Sequence, residues 1–241
     1  MFKHLDWDSN FFGYKVGQIE GLISSEQKLQ NLFFTLRRQE YRLIYWQIEK
    51  NNQKLNELAI KLSGKFVDEK TNYEINLRTI SPSEQETSAC ISEYLLSVPS
   101  VEMERIALDC GAFSRFNYMI DNNFTKSQFE KLYITWIHNS ISKKIADNVF
   151  VYSENKKVFG LITLKKSRKR ATIGLIGVLS TNRGKNIGTL LVNFIFKYLK
   201  ENNYNYLEVT TQGKNIYACM FYEKCGFYEK SVYNFYHFWL Y

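Results

Sequence analysis

Residues 176–196, IGVLSTNRGKNIGTLLVNFIF, restrict the possible folds more than any other stretch of the chain. An apolar run ends at Val178, a short turn carries Arg183, Gly184 and Gly188, and an amphipathic run follows from Thr189. A strand that turns through glycines into a helix aims backbone N–H groups at whatever sits before the helix, and the helix dipole adds partial positive charge there. Glycine lets the backbone approach a ligand closely and tolerates positive φ. The arrangement suits a pyrophosphate, to which Arg183 and Lys185 add side-chain charge. Two common phosphate-binding turns do not fit. No G-x-G-x-x-G follows the strand, and Gly184 and Gly188 have the wrong separation for G-x-x-x-x-G-K-[ST].

Strands and helices alternate around this segment, which predicts a mixed α/β class. Before it, VFVYSENKKVFGLITLKKS reads as a hairpin turning at SENKK, and ATIGLIGVL (171–179) as an apolar strand. After it come the strand YLEVTTQ, the helix NIYACMFYEKCG and the closing strand VYNFYHFWL. Phe129, Leu132, Tyr133, Trp136 and Ile137 share one helical face. In the first half, YRLIYWQI (41–48) reads as a strand. NNQKLNELAIKLSG follows as a helix stopped at Gly64, and YEINL (73–77) is a further strand. Strand, helix and SGKF echo the later strand, helix and KCGF, so the first half is expected to be a degenerate copy of the second. The polar stretch around Pro82, RTISPSEQETSA, is the expected linker between a domain at 1–80 and a second at 81–241.

Composition removes several alternatives. Of 241 residues 45% are apolar, with 18 Phe and 17 Tyr, which argues against disorder. No run approaches the roughly 18 apolar residues of a membrane span. The start, MFKHLDWDSNFFG, lacks the basic-then-apolar pattern of a signal peptide, so the expected compartment is the cytoplasm. Four cysteines form no C-x-x-C pair, and His4, His138 and His237 are far apart, so no metal is expected. A net charge of +8 suits anionic partners without choosing between nucleic acid, a membrane surface and phosphate-bearing small molecules. Five basic residues fall within 165–170. They read as a solvated hairpin end, or else as a cradle for phosphates.

The turn resembles the acetyl-CoA-binding motif of the GNAT superfamily of N-acyltransferases, [QR]-x-x-G-x-[GA]. Arg183 opens it, Gly188 closes it, and Asn186 replaces the middle glycine. Asn is the residue after Gly that best tolerates left-handed backbone, so the turn can survive. LEVTTQGKNIYACMFYEKCGF is similar to the superfamily's later motif N-x-x-A-x-x-x-Y-x-x-x-G-F, with Asn215, Ala218, Tyr222, Gly226 and Phe227 in register. The resemblance implies a GNAT fold, a central mixed sheet flanked by helices, with acyl-CoA as co-substrate. It implies donor binding by Val178, Leu179, Arg183, Gly184, Lys185, Asn186, Ile187, Gly188, Thr189 and Asn215. Tyr222 then protonates the departing thiolate, since a phenol near pKa 10 matches a thiolate's basicity. Asp68, Glu69 and Glu208 are candidates for the general base, and a water chain is another.

Similarity to GNAT enzymes that acetylate dTDP-fucosamine (dTDP-4-amino-4,6-dideoxygalactose) extends over most of the chain. It rests on Trp7 to Gly13 with Phe11 and Phe12, on SRF at 114–116 before FEKLYITWIHNSI, and on LEVTTQGKNIYA. It implies an N-terminal α/β domain packed on the GNAT domain, with a dTDP-linked 3- or 4-amino-dideoxyhexose between them and Arg115 on its diphosphate. The donor would carry acetyl or a short hydroxyacyl group such as 3-hydroxybutyryl, and the product would serve O-antigen or other surface polysaccharide synthesis. Competing readings are a GNAT acting on a protein, peptide or small-molecule amine, and an inactive GNAT-fold binding module using 165–170. The aromatic closing strand leaves homodimer pairing and internal packing both open.

Overall fold

The computed structural model describes residues 2–21, 23, 25–80 and 89–241. The expected linker around Pro82 falls mostly on 81–88, outside the described residues. The chain forms two compact units. One comprises Met1–Thr71, Gln212–Lys214 and Ser231–Tyr241; the other comprises Asn72–Thr211 and Asn215–Lys230. The closing segment Ser231–Tyr241 thus groups with the first unit, not with the rest of 81–241 as the sequence leads one to expect.

The first unit runs β1 (Phe2–His4), α1 (Asp6–Phe12), β2 (Lys15–Ile19), α2 (Glu26–Arg38), β3 (Tyr41–Glu49) and α3 (Gln53–Lys61), then enters β4 (Lys65–Asn76). β1 is antiparallel to β2, and β2 is parallel to β3. The last strand of the chain, β10 (Tyr228–Trp239), lies antiparallel to β3 from Tyr233↔Glu49 to Trp239↔Leu43. The aromatic closing strand is therefore paired internally along that edge. Leu29, Phe33 and Leu36 of α2 and Leu55 and Ala59 of α3 recur at three- and four-residue spacing and bury against Ile44, Trp46, Tyr236 and Phe238.

The second unit continues with β5 (Ile91–Glu93), α4 (Val101–Cys110), α5 (Lys126–Ile141), β6 (Asn148–Glu154), β7 (Lys157–Ser167) and β8 (Arg170–Val178). α6 (Ile187–Glu201), β9 (Tyr206–Gln212) and α7 (Ile216–Lys224) follow. Its strands are ordered β9-β8-β7-β6-β5, parallel between β8 and β9 and antiparallel elsewhere. α6 drives Ile187, Leu191, Ile195 and Leu199 onto Ile162, Leu164, Ile173, Leu207 and Val209. Each such side chain fully buried is worth about 1.5–3 kcal/mol. Helices cover both faces of these strands. A Cβ on Gly160 would meet Ile187 and Leu191 of α6, whereas one on Gly177, across from Leu161, would meet Ile106 and Cys110 of α4. A Thr125–Gln128 capping box starts α5, which buries Phe129, Leu132, Tyr133 and Ile137 as the spacing predicts.

The internal echo has a structural counterpart. Along the chain the order strand, helix, parallel strand, nine-residue helix and strand occurs twice, as β2-α2-β3-α3-β4 and as β8-α6-β9-α7-β10. Asn52 and Asn215 are matching N-caps, their side chains accepting from Leu55 N and Ala218 N, each at 3.2 Å. After the helices, Ser63 (φ 64°) and Gly226 (φ 89°) take the left-handed position. Ser63, and not the expected Gly64, thus turns the chain out of α3. Gly64 is needed for a different reason, because its Cβ would lie 2.6 Å from the Phe238 ring and 2.7 Å from the Ala59 carbonyl.

Candidate active site

The site begins with an extra residue in β8. Ile162 pairs with Ile176 and Leu164 with Ile173, so Gly174 and Leu175 together stand opposite Thr163 alone. This is a β-bulge, and the Thr163 hydroxyl fills it by accepting from Leu175 N at 2.8 Å. A bulge bends its strand. The parallel pairing of β8 with β9 ends at the same place, with Ile173↔Val209. Beyond it β8 keeps β7 and leaves β9, so its outer backbone edge faces a gap. Two side chains meet carbonyls of this stretch: Cys110 Sγ lies 3.2 Å from Ile176 O, and Arg183 Nε donates to Val178 O at 3.2 Å.

The turn into α6 keeps its donors open. Asn186 is the N-cap with φ 59° and ψ 6°, a left-handed conformation, and Gly184 has φ 79°. Asn186 therefore adopts the backbone that the resemblance assigns to a glycine. Its side chain makes no capping bond, and the first helical backbone bond outside the turn is Leu190 N to Asn186 O at 3.0 Å. The N–H groups of Ile187, Gly188 and Thr189 thus precede the intrahelical ladder. The counterpart α2 differs, because the Ser25 hydroxyl caps Lys28 N and Glu26 places a carboxylate in the first turn. Only the second of the two equivalent helix starts suits an anion.

These features share a cavity of about 760 Å³ within the second unit. Of the residues expected to hold the donor, Val178, Arg183, Gly184, Asn186, Ile187, Gly188, Thr189 and Asn215 line it, and so does Tyr222. Leu179 and Lys185 do not: Leu179 bonds Phe159 O through its N–H, and Lys185 is exposed. Arg115 is outside the lining as well, its guanidinium stacked 4.4 Å from the Phe116 ring. α4 supplies Ile106, Asp109 and Cys110, which the sequence reading missed altogether. The signal was present: Met103, Ile106, Ala107 and Cys110 follow helical spacing after an N-cap at Ser100.

Tyr222 is 5% exposed and packed among Tyr73, Phe221 and Phe227. Among the described residues its hydroxyl makes no hydrogen bond. Burial raises its pKa well above that of a free phenol, and the Cys110, Cys225 and Cys219 thiols add to the effect. The phenol is therefore neutral and holds a proton at any physiological pH. Cys110, lining the same cavity, shows what these surroundings do to sulfur: burial pushes its thiol up to about 12. A thiolate released there would be more basic than in water, which keeps a raised phenol matched to it as a proton donor.

None of the considered bases lines the cavity. Glu208 is held by Arg170 (2.6 Å) and Lys230 (2.9 Å). Glu69 pairs with Lys50 at 2.9 Å, and Asp68 is a buried residue of the first unit. The basic run is largely spent locally. Lys165 meets Asp147 at 3.2 Å, Lys166 the Tyr198 hydroxyl, Lys169 the Asn203 carbonyl, and Arg170 both Glu74 and Glu208. The hairpin-end reading holds, and no residue of the run lines the cavity. Among the described residues no group of three or more His, Cys, Asp or Glu side chains is placed to hold a metal. Among the described residues no helix is long and apolar enough to cross a membrane.

A strand that bulges away from its parallel neighbour beside an uncapped, glycine-flanked helix start defines the GNAT fold, and residues 114–227 match the acetyltransferase (GNAT) family. The chain is 23% identical over 128 residues to the spore coat polysaccharide biosynthesis protein SpsD of Bacillus subtilis (strain 168), covering 53% of this chain and 44% of that one. It is 29% identical over 116 residues to an uncharacterized N-acetyltransferase of Methanocaldococcus jannaschii, covering 45% and 50%. The chain thus spans about half the length of the curated relatives it matches. A tandem GNAT protein from the clavulanic acid biosynthesis pathway shares the fold, with a TM-score of 0.58, 11% identity, and coverage of 93% of this chain and 75% of that one.

Proposed function

We propose that this protein transfers an acyl group, acetyl or a short hydroxyacyl such as 3-hydroxybutyryl, from acyl-CoA to the amino group of a dTDP-linked 3- or 4-amino-dideoxyhexose. One observation carries the donor half of this reading: the open N–H groups of α6, the unpaired edge of β8 and the Tyr222 phenol face one cavity. The diphosphate lies at the start of α6 and the pantetheine arm along β8. The acceptor nitrogen attacks the thioester carbonyl, the C–S bond breaks, the sulfur takes the Tyr222 proton, and the proton that the amine gives up passes to water, from which the phenol is reprotonated. The sugar acceptor is supported by the N-terminal and middle-section similarities and by the relative named for spore coat polysaccharide biosynthesis. Arg115 is proposed, on charge, as the partner of the acceptor's diphosphate. The product would enter surface polysaccharide synthesis, and the cytoplasm, which holds acyl-CoA, would be the compartment.

The test is a CoA-release assay with a panel of dTDP-amino-dideoxysugars, against acetyl-CoA and 3-hydroxybutyryl-CoA. Turnover confined to one sugar and one donor is the expected result. If acyl-CoA binds but no sugar nucleotide releases CoA, the sugar acceptor is wrong and peptide or small-molecule amines take its place. If no acyl-CoA binds, the enzyme reading itself gives way to an inactive binding module.

A further inference from the structure

The donor reading leaves one acidic group in the cavity unexplained. Asp109 is the one carboxylate among the described residues that line it. A carboxylate in a site for a polyanion works against that anion by repulsion. Nor does Asp109 serve its own helix, because it sits in the last turn of α4, where the dipole disfavours negative charge and no basic residue offsets it. What it does have is Arg183. Asp109 Oδ2 lies 2.7 Å from Arg183 Nη2, while Arg183 Nε is committed to Val178 O. The guanidinium that opens the α6 turn is thus shared between a strand carbonyl and a carboxylate from another helix. An oxygen of a diphosphate bound at the start of α6 would compete for the same N–H groups.

We propose that Asp109 moderates the donor site's hold on a diphosphate: it competes with the donor's diphosphate for Arg183, so that a donor bringing its own anion must displace the carboxylate before it takes the guanidinium over. The proposal rests on the acyl-CoA reading. A donor without the diphosphate, such as a pantetheine thioester, leaves the Asp109–Arg183 pair intact and draws nothing from Arg183. Both side chains are about half exposed (46% and 57%), so the competition is modest. Removing the carboxylate's charge should tighten CoA binding by up to about fivefold, the upper end for an exposed ion pair.

The experiment measures dissociation constants of CoA and of pantetheine for the full chain by calorimetry. The proteins are wild type, Asp109→Asn, Asp109→Glu, Arg183→Gln and the Asp109→Asn/Arg183→Gln double variant, with thermal unfolding of each as a check on folding. Asp109→Ser replaces Asp109→Asn if the latter fails to fold. Asp109→Asn should bind CoA more tightly and pantetheine unchanged, Asp109→Glu should behave as wild type, and the gain should vanish in the Arg183→Gln background. Weaker CoA binding by Asp109→Asn would overturn the proposal, since the carboxylate would then only hold the arginine in place. Equal shifts for CoA and pantetheine, or a gain that persists without Arg183, would overturn it too. A wild type that binds CoA with Asp109→Asn unchanged removes this proposal and spares the donor reading. A wild type that binds no CoA removes both.

Discussion

Replacing Asn186 tests how the α6 turn works. At φ 59° and ψ 6° the residue sits where an ordinary L-side chain costs roughly 1–2 kcal/mol and where Asn and Gly cost least. Asn186→Gly should leave stability within about 1 kcal/mol, because relief of the remaining strain offsets the extra freedom of the unfolded chain. Asn186→Val should lose about 2 kcal/mol, with a β-branched side chain adding to the penalty. A larger effect is expected on the ligand. If the valine backbone relaxes toward negative φ, the N–H groups of Ile187 and Gly188 turn away from the cavity. Hydrogen bonds to a charged group are worth about 1.5–3 kcal/mol each, so losing one weakens CoA about tenfold to a hundredfold. Thermal unfolding and calorimetric titration with CoA measure both effects. An Asn186→Val protein that unfolds where wild type does and binds CoA equally well would refute the argument.

Two further substitutions probe the frame of the site. Gly177→Ala would bring a Cβ within 2.5 Å of Ile106 Cγ2 and 2.8 Å of Cys110 Sγ, so it should destabilise the chain by about 1–3 kcal/mol in thermal unfolding; a neutral effect would mean α4 does not pack on β8 as described. Glu74 anchors the network of Arg170, Lys230 and Tyr228. Burial pushes its carboxyl up, but hydrogen bonds from Lys230, Tyr228 and Arg170 outweigh that and bring it down to about 2 from 4.5. A lowered carboxyl stabilises the fold above the unfolded value and loses that contribution as pH falls. Wild-type stability should therefore decline from about pH 4.5 toward pH 2, and Glu74→Gln should flatten the decline; denaturation curves across that range with equal slopes for the two proteins would contradict the assignment.

What could be read from the sequence follows the range over which each feature is encoded. The α6 turn and α7 are local patterns of glycine, asparagine and helical spacing, so Arg183, Asn186, Gly188 and Tyr222 could be placed before any fold was known. The bulge in β8 could not, because it is a mismatch of count between two strands and leaves no mark in either strand alone. α4 lay within reach, yet its ten residues interleave Glu102, Glu104, Arg105 and Asp109 with the apolar stripe, and its role depends on packing over Gly177. Lys185 was assigned on charge alone, and it points to solvent one residue from a turn whose neighbours line the cavity. Gly64 reads as a helix stop in the sequence, but the left-handed position falls on Ser63, and Gly64 is required instead by the close approach of Phe238.

The central claim is that the buried Tyr222 phenol donates a proton to the sulfur leaving an acyl-CoA bound at the start of α6. The most direct measurement is the acyl-transfer rate of Tyr222→Phe against wild type, with acyl-CoA affinity determined for both and the rate followed from pH 7 to about pH 10. The account predicts unchanged affinity and a rate lower by about 10²- to 10⁴-fold. It also predicts no alkaline loss of wild-type activity from this group in that range, since burial holds the phenol protonated. Equal rates for the two proteins, with acyl-CoA bound by both, would contradict it.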